Sequence, residues 1–359
     1  MSARAATAPI VADPIRSVII QNRFDALVDE AGRLIGHVSG SPVASQFHDM
    51  NTALLNAEGE ITCPGMFLIF HTAGISAVTK TILREYRENP GIGPGDMFIC
   101  NNPYDGSPHQ SEVILVAPIH HDGQLVAWAG TSIHQADVGG PVPGQIALGA
   151  RDIYQEEIPM PALKIIERGV LRKDLEREYL IRSRTPDLLR IDFRAKRAAN
   201  QTIADRFGEL VCEYGIDAVL LAMRELEDQA EARFRERLRE LPDGVFRHRT
   251  YMDYEGAVYR CELELTKRGD ALLFDFTADD QARAVMNCVR ALTEGCVMNS
   301  ILTTLCFGGV PWCPAGIGRA VEIRTRPGSV IDAAWPAGTS GGSSAGSVLV
   351  TSNAESCLA

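Results

Sequence analysis

The sequence predicts an α+β protein: mixed β-sheets with a loop region that carries the candidate site residues, a central helical segment and a C-terminal β-rich part. Three observations carry this. Short apolar or alternating runs bounded by turn residues cluster between Met97 and Ser132 and again between Phe246 and Thr277. Between those β regions, residues 185–241 are filled with apolar positions three and four apart. Pro242-Asp243-Gly244 then marks the return from helix to strand. The expected units are a lead-in and helix over 1–46, a metal-site β-rich core over 47–184, the helical segment over 185–241, and an α+β part over 242–359.

In order, residues 1–14 read as a flexible lead-in. Ile15, Val18, Ile19, Phe24, Leu27, Val28, Ala31, Leu34 and Ile35 have helical spacing, which predicts an amphipathic helix from Pro14 to about Gly36. Ser39-Gly40-Ser41-Pro42 breaks it. Phe47 to Ile61 predicts two strands joined at Glu58-Gly59. His71 stands at the head of a helix over Ala73–Tyr86, stopped by Asn89-Pro90-Gly91. Met97–Cys100 is a short strand emptying into a loop over Asn101–Pro108. Val113–Ile119 and Leu125–Ser132 are apolar runs joined by His120-His121-Asp122-Gly123, where Asp-Gly signals a hairpin. Tyr154–Pro161 reads as extended.

Arg194–Tyr214 and Ala218–Leu241 carry helical spacing, with Gly215 between them as a C-cap. The dense charges of Arg224–Arg239 fit a solvated helix face. Phe246–Tyr254, Ala257–Lys267 and Leu272–Thr277 alternate, with turns at Glu255-Gly256 and Arg268-Gly269-Asp270. Val285–Phe307 reads as a buried helix. From Gly308 the tail is turn-rich, and Gly338–Ser347 is Gly/Ser-rich without periodicity.

Composition narrows the function classes. Apolar residues make up 45% and charged residues 23%, ordinary for a globular protein. A net charge of −11 argues against a nucleic-acid surface, which needs a basic field. No apolar run approaches the ~18 residues that span a bilayer. The nine cysteines are scattered with no C-x-x-C spacing, so reduced thiols in a cytoplasmic protein are expected.

Chemistry concentrates between Gly95 and Gly144. Two imidazoles each have a carboxylate three residues on, His109/Glu112 and His134/Asp137, and the pairs flank the predicted hairpin. An antiparallel pair brings its outer ends side by side, so the two groups can converge. Imidazole and carboxylate donors suit a divalent metal. On spacing alone a hydrogen-bonded structural histidine is the commoner outcome, and the double occurrence keeps the metal site in contention. Asp137–Gly144 and Gly338–Ser344 have glycines that permit close approach of a ligand, but tight turns explain them equally. The second lacks the Lys and spacing of a P-loop. His71 and His48-Asp49 have no local partner pattern, and His120 and His121 sit at a solvated hairpin tip.

At these residues the chain resembles the hydantoinase B/oxoprolinase family. The likeness runs through Pro94-Gly95-Asp96, Asn102-Pro103-Tyr104, Gly106 to His109, His134-Gln135-Ala136-Asp137-Val138-Gly139-Gly140, Pro143-Gly144, Glu156-Glu157-Ile158-Pro159, Asp275-Phe276-Thr277 and Asn287. It extends in order from about Phe47 to the C-terminus. The family pattern has a carboxylate where this chain has Asn102, and usually Asp where it has Glu112. Family members are typically much longer, so a fragment, a split subunit or a member lacking its C-terminal part is expected.

The resemblance implies a B-type subunit of an ATP-dependent cyclic-amide hydrolase. An A-type partner with an actin-like fold would bind ATP and phosphorylate the lactam oxygen, and the B subunit would carry a Zn, Mn or Fe centre. His109, Glu112 and Asp137 are the expected ligands. His134 is expected as a fourth ligand or the general base, and His71 as a further catalytic candidate. The alternatives are a subunit of an acetone- or acetophenone-type ATP-dependent carboxylase, or a non-catalytic assembly subunit.

Overall fold

A computed structural model of the protein describes residues 13–144 and 146–359. Most of the predicted lead-in, residues 1–12, lies outside the described residues. Helix α1 (Pro14–Val38) starts where Asp13 Oδ1 accepts from Ile15 N and Arg16 N and Pro14 takes the first turn. A short helix, α2 (Pro42–Ser45), follows the predicted break. Strands β1 (Met50–Asn56) and β2 (Ile61–Pro64) flank the Glu58-Gly59 turn, and α3 (His71–Glu85) begins at His71 itself. Next come β3 (Met97–Cys100), β4 (Glu112–His121) and β5 (Gln124–His134). The hairpin turn between the last two has Asp122 at φ 49° and Gly123 at φ 77°, the left-handed pair that a two-residue hairpin loop demands.

Strands β6 (Leu163–Glu167) and β7 (Val170–Leu171) and helix α4 (Lys173–Ile181) were not legible in the sequence. Helices α5 (Pro186–Tyr214) and α6 (Ile216–Arg239) meet at Gly215, as its C-cap role predicted. Strands β8 (Gly244–Tyr254), β9 (Ala257–Arg268) and β10 (Ala271–Ala278) follow the predicted alternation. The predicted helix over Val285–Phe307 forms only as α7 (Arg290–Leu305). Residues 285–289 are buried coil instead: Asn287 Nδ2 donates to the main-chain oxygens of Ala282, Ala284 and Gly338. An apolar run buried on all sides has no period that tells coil from helix. A short α8 (Pro314–Ile317), β11 (Val321–Arg324) and α9 (Gly346–Leu358) complete the chain.

Seven strands form one antiparallel sheet in the order β2-β1-β5-β4-β3-β6-β7. Helices cover both faces. Leu54, Val113, Leu115 and Ile133 pack with Phe24, Phe193, Ile203 and Phe207 of α1 and α5. The intervening side chains Ala53, Leu55, Ile114, Val116 and Trp128 pack against Ile75, Val78 and Ile82 of α3. Burial on both faces explains why β4 and β5 read as apolar runs rather than alternating strands. A second sheet, β11-β10-β9-β8, buries only one face, with Leu263, Leu265, Phe274 and Phe276 against α7 and α9. Helix α6 runs from one core to the other, placing Ala222 and Met223 in the first and Phe234 and Leu238 in the second. Among the described residues no helix is long and apolar enough to cross a membrane, and all nine cysteines are free thiols.

Helix α3 lies close on its sheet because β5 has a glycine beneath it: a Cβ on Gly130 would come within 2.3 Å of Ile75 Cγ2. Gly130→Ala is therefore expected to destabilise the chain by about 1–3 kcal/mol through overpacking. Urea unfolding checks this, as a lowered midpoint at an unchanged slope. An unmoved midpoint would mean that α3 tolerates a wider seat.

Candidate metal centre

The site sits at one end of the seven-stranded sheet and follows from its register. Glu112, the first residue of β4, is paired with His134, the last of β5, and Ile133 is paired with Met50 of β1. His134 N also donates to Asp49 O at 3.0 Å, which carries the ladder one residue further. Asp49, Glu112, Ser132 and His134 share the strand parity of Leu55, Ile114 and Trp128, so their side chains emerge on the α3 face. His71, the first residue of α3, comes down onto them. His48, just before Asp49, has a left-handed backbone with φ 54°, an uncommon conformation outside glycine.

Glu112 is completely buried and ringed by imidazoles. Its Oε1 lies 2.9 Å from His134 Nδ1 and 3.3 Å from His109 Nε2, and its Oε2 lies 2.8 Å from His71 Nδ1. His71 Nε2 lies 2.8 Å from Asp49 Oδ1, while Asp49 Oδ2 is 3.8 Å from His134 Nδ1. Each carboxylate thus turns one oxygen to His71 and the other toward His134. The turn that carries His109 back over Glu112 is closed by Glu112 N donating to His109 O at 3.1 Å.

Electrostatics follow from this packing. Burial by itself would push the Glu112 carboxyl up, but His71, His134 and His109 hold it well below the usual carboxylate range. Burial pulls the His71 imidazole down, yet Glu112 and Asp49 outweigh it and raise it to about 9. For His109 burial prevails over the neighbouring carboxylate and the shift is downward, toward the neutral ring. Both His109 nitrogens are buried without a hydrogen-bond partner. A buried imidazole in that state is unusual for a structural histidine and fits a metal ligand. Two sets of donors lie close enough to hold an ion: His109, Glu112 and His134, and Asp49, His71 and Glu112. The first is the better candidate, because both nitrogens of His71 already face carboxylate oxygens. Nitrogen and oxygen donors of this kind suit Zn, Mn or Fe.

The structure brings together His71, His109, Glu112 and His134, and it adds Asp49, for which the sequence showed no signal. It does not bring in Asp137. That carboxylate accepts from Arg184 NH1 and Arg184 N, each at 3.0 Å, from Gly139 N at 3.0 Å and from Gly144 N at 3.4 Å. Burial pushes its carboxyl up, and these donors more than reverse that. The reason is local: His109 and Glu112 are joined by a tight turn, whereas Asp137 lies beyond the end of β5 on a chain that has left the sheet. Asn102, at the family's carboxylate position, has a local role, its Oδ1 accepting from Tyr104 N at 3.2 Å. Two of the glycines expected to admit a ligand, Gly139 and Gly140, are closed by the chain itself. A Cβ on Gly139 would meet Arg182 O at 2.4 Å, and one on Gly140 would meet Glu157 Cα and N at 3.0 Å.

Glu157, part of the Glu156-Glu157-Ile158-Pro159 likeness but given no site role from the sequence, is a second buried acidic group near the site. It is 2% exposed and its Oε2 has no hydrogen-bond partner. Burial, with Glu156 and Asp137 adding repulsion against the pull of His134, raises its carboxyl to about 8. Its protonated form is therefore favoured by folding, a contribution complete below the ordinary 4.5 and lost as pH rises through about 8. Glu157→Gln is expected to gain stability relative to the original chain across that window. Chemical unfolding of metal-free protein at a series of pH values checks it, and a constant difference between the two chains would rule it out.

Comparison with known proteins follows the same residues. A family model described as hydantoinase B/oxoprolinase matches residues 13–359. 5-Oxoprolinase 1 of Arabidopsis thaliana is 26% identical over 95% of this chain and 29% of its own length. The acetophenone carboxylase delta subunit of Aromatoleum aromaticum is 28% identical over 64% of this chain and 34% of its own. Among solved structures, the ATP-dependent caprolactamase from Pseudomonas jessenii superposes with a TM-score of 0.90 at 22% identity. That match covers 97% of this chain and 60% of the other, and it shows a shared fold. The chain spans about a third of the length of these two curated relatives.

Proposed function

Because the chain belongs to the hydantoinase B/oxoprolinase family, we propose that it is the B-type subunit of a cytoplasmic ATP-dependent hydrolase of cyclic amides of the hydantoin or 5-oxoproline type. The observation that carries this reading is the buried His109 imidazole, which makes no aligned hydrogen bond through either nitrogen and sits with Glu112 and His134 within ligand distance of one another. Support for cyclic amides comes from the names of 5-oxoprolinase 1 and the caprolactamase. ATP is assigned to an A-type partner, which would phosphorylate the lactam oxygen and so make a poor electrophile reactive. The acetophenone carboxylase relative keeps carboxylation as the outcome that a direct assay must separate.

In this reading His109, Glu112 and His134 hold a Zn, Mn or Fe ion. When bound, the ion supplies Lewis-acid polarisation and makes water at the site more acidic. The chain's own residues do the rest. In the metal-free chain His71, with its ring raised to about 9, donates toward Glu112 Oε2 and Asp49 Oδ1. That fixes both carboxylates with their second oxygens turned inward, the role that groups behind metal ligands commonly play. Asp49, with 28% of its side chain exposed, is the most exposed member of the otherwise buried cluster.

His109→Ala and Glu112→Ala are expected to reduce bound metal from one ion per chain to none while circular dichroism stays unchanged. Undiminished metal in both would remove the site assignment. Co-purified with an A-type partner, the chain is expected to open hydantoin or 5-oxoproline only with ATP. Turnover of acetone or acetophenone with bicarbonate, and of no cyclic amide, would place it with the carboxylases instead.

A further inference from the structure

The His109 ring touches Glu112 Oε1 at 3.3 Å and the His134 ring, but no hydrogen bond to a group behind it aims it. Metal-binding imidazoles are usually aimed by a hydrogen bond from the second nitrogen, and here neither nitrogen has one. Its backing therefore comes from the turn that carries the residue. The single Ser107 Oγ–H is shared between Glu112 O at 2.6 Å and His109 O at 3.0 Å, closing the turn from within. Asn101 Nδ2 donates to Gln110 O at 2.7 Å, and Asn101 Oδ1 accepts from Met160 N at 2.7 Å.

The side chain of Gln110 makes the longest reach. Its Nε2 donates to Glu156 Oε2 at 2.6 Å. The same oxygen accepts from Thr339 N at 2.8 Å, and Glu156 Oε1 accepts from Ser340 N at 3.0 Å and Ser340 Oγ at 2.8 Å. Thr339 Oγ1 donates in turn to Gln110 Oε1 at 3.2 Å. Gln110, Glu156, Thr339 and Ser340 are each at most 2% exposed. The Gly/Ser-rich stretch is thus an anion cradle whose anion is a side chain of the protein. Gly338 belongs to it because a Cβ there would lie 2.9 Å from both Glu156 Oε1 and Ala284 O.

We infer that Glu156 is a positioning residue of the metal centre: through Gln110 it holds the His109 turn over Glu112, and through Thr339 and Ser340 it makes the C-terminal Gly/Ser loop part of that centre. This rests on the metal-centre reading above. A carboxylate is required because four donors converge on it. In Glu156→Gln one end becomes an NH2 group, which opposes either Gln110 Nε2 and Thr339 N or the two Ser340 donors. Such a clash is relieved by moving the loop on which His109 rides.

The test titrates metal-free full-length chain with Zn2+ and with Co2+, whose visible absorption reports ligand geometry. Glu156→Gln and Gln110→Met are expected to bind both ions about 10- to 100-fold more weakly and to shift the Co2+ spectrum, with far-ultraviolet circular dichroism unchanged. Gln110→Met leaves Glu156 its three donors from Thr339 and Ser340, so it serves if the other variant does not fold. Wild-type affinity and spectrum in a folded variant overturn the inference and leave the metal centre standing. Failure of the unmutated chain to take up either ion removes the metal centre, and the inference with it.

Discussion

A carboxylate with no solvent exposure, Glu112, is the constraint around which this half of the molecule is arranged. An isolated buried charge of that kind would be prohibitively costly, and it would take up a proton rather than remain ionised. Three imidazoles within 3.3 Å prevent this. They come from three different elements: the head of α3, the turn before β4 and the end of β5. The carboxylate can therefore be formed and ionised only when helix, turn and strand are all in place, which couples the site's electrostatics to the completion of the fold.

The surroundings can be understood as means of holding those elements still. Burying both faces of the sheet fixes the β4–β5 register, because a one-residue slip would carry Glu112 and His134 to the α1/α5 face along with every apolar side chain. On that opposite face Lys196 of α5, fully buried, donates to Val113 O at 3.1 Å, one residue from Glu112. Burial draws its ammonium down to about 7 against the opposing pull of Asp192 and Glu112. Asp192 accepts in turn from Ser39 Oγ and Gly40 N at the exit of α1. Helix α5 thereby ties the end of the first helix to the strand that begins with the central carboxylate.

The C-terminal part contributes in a different way. Its sheet has a core of its own, yet α6 enters both cores, and the loop before α9 reaches across to Glu156. Stability of the second core and geometry at the first are thus linked through covalent continuity and through a buried hydrogen-bond network. Networks of this type impose geometry only when every member is satisfied, and here both Glu156 oxygens are.

Period and turn chemistry made much of this visible in the sequence. Helical spacing located α1, α3, α5 and α6, and Asp122-Gly123 and Glu255-Gly256 located two hairpins, because each signal is local and its physical cause lies within a few residues. The same reasoning reached His109, Glu112 and His134, since a hairpin obliges its outer ends to meet. What it missed was decided at longer range. Helix α9 was hidden behind a Gly/Ser-rich stretch that wraps Glu156, through the Ser340 hydroxyl and the Thr339 and Ser340 amides, rather than facing solvent. Residues 285–289 stay coil because Asn287 takes the main-chain partners a helix would have used. Asp137 was placed in the site on spacing, but the chain after β5 turns away and gives that carboxylate to Arg184. Asp49 was passed over, although β1 lies beside β5 and aligns it with His134. The sequence by itself determined which donor types were present and which strand ends would pair. Only the tertiary structure decided which carboxylates face the imidazoles, because that depends on strand order and on competing partners far along the chain.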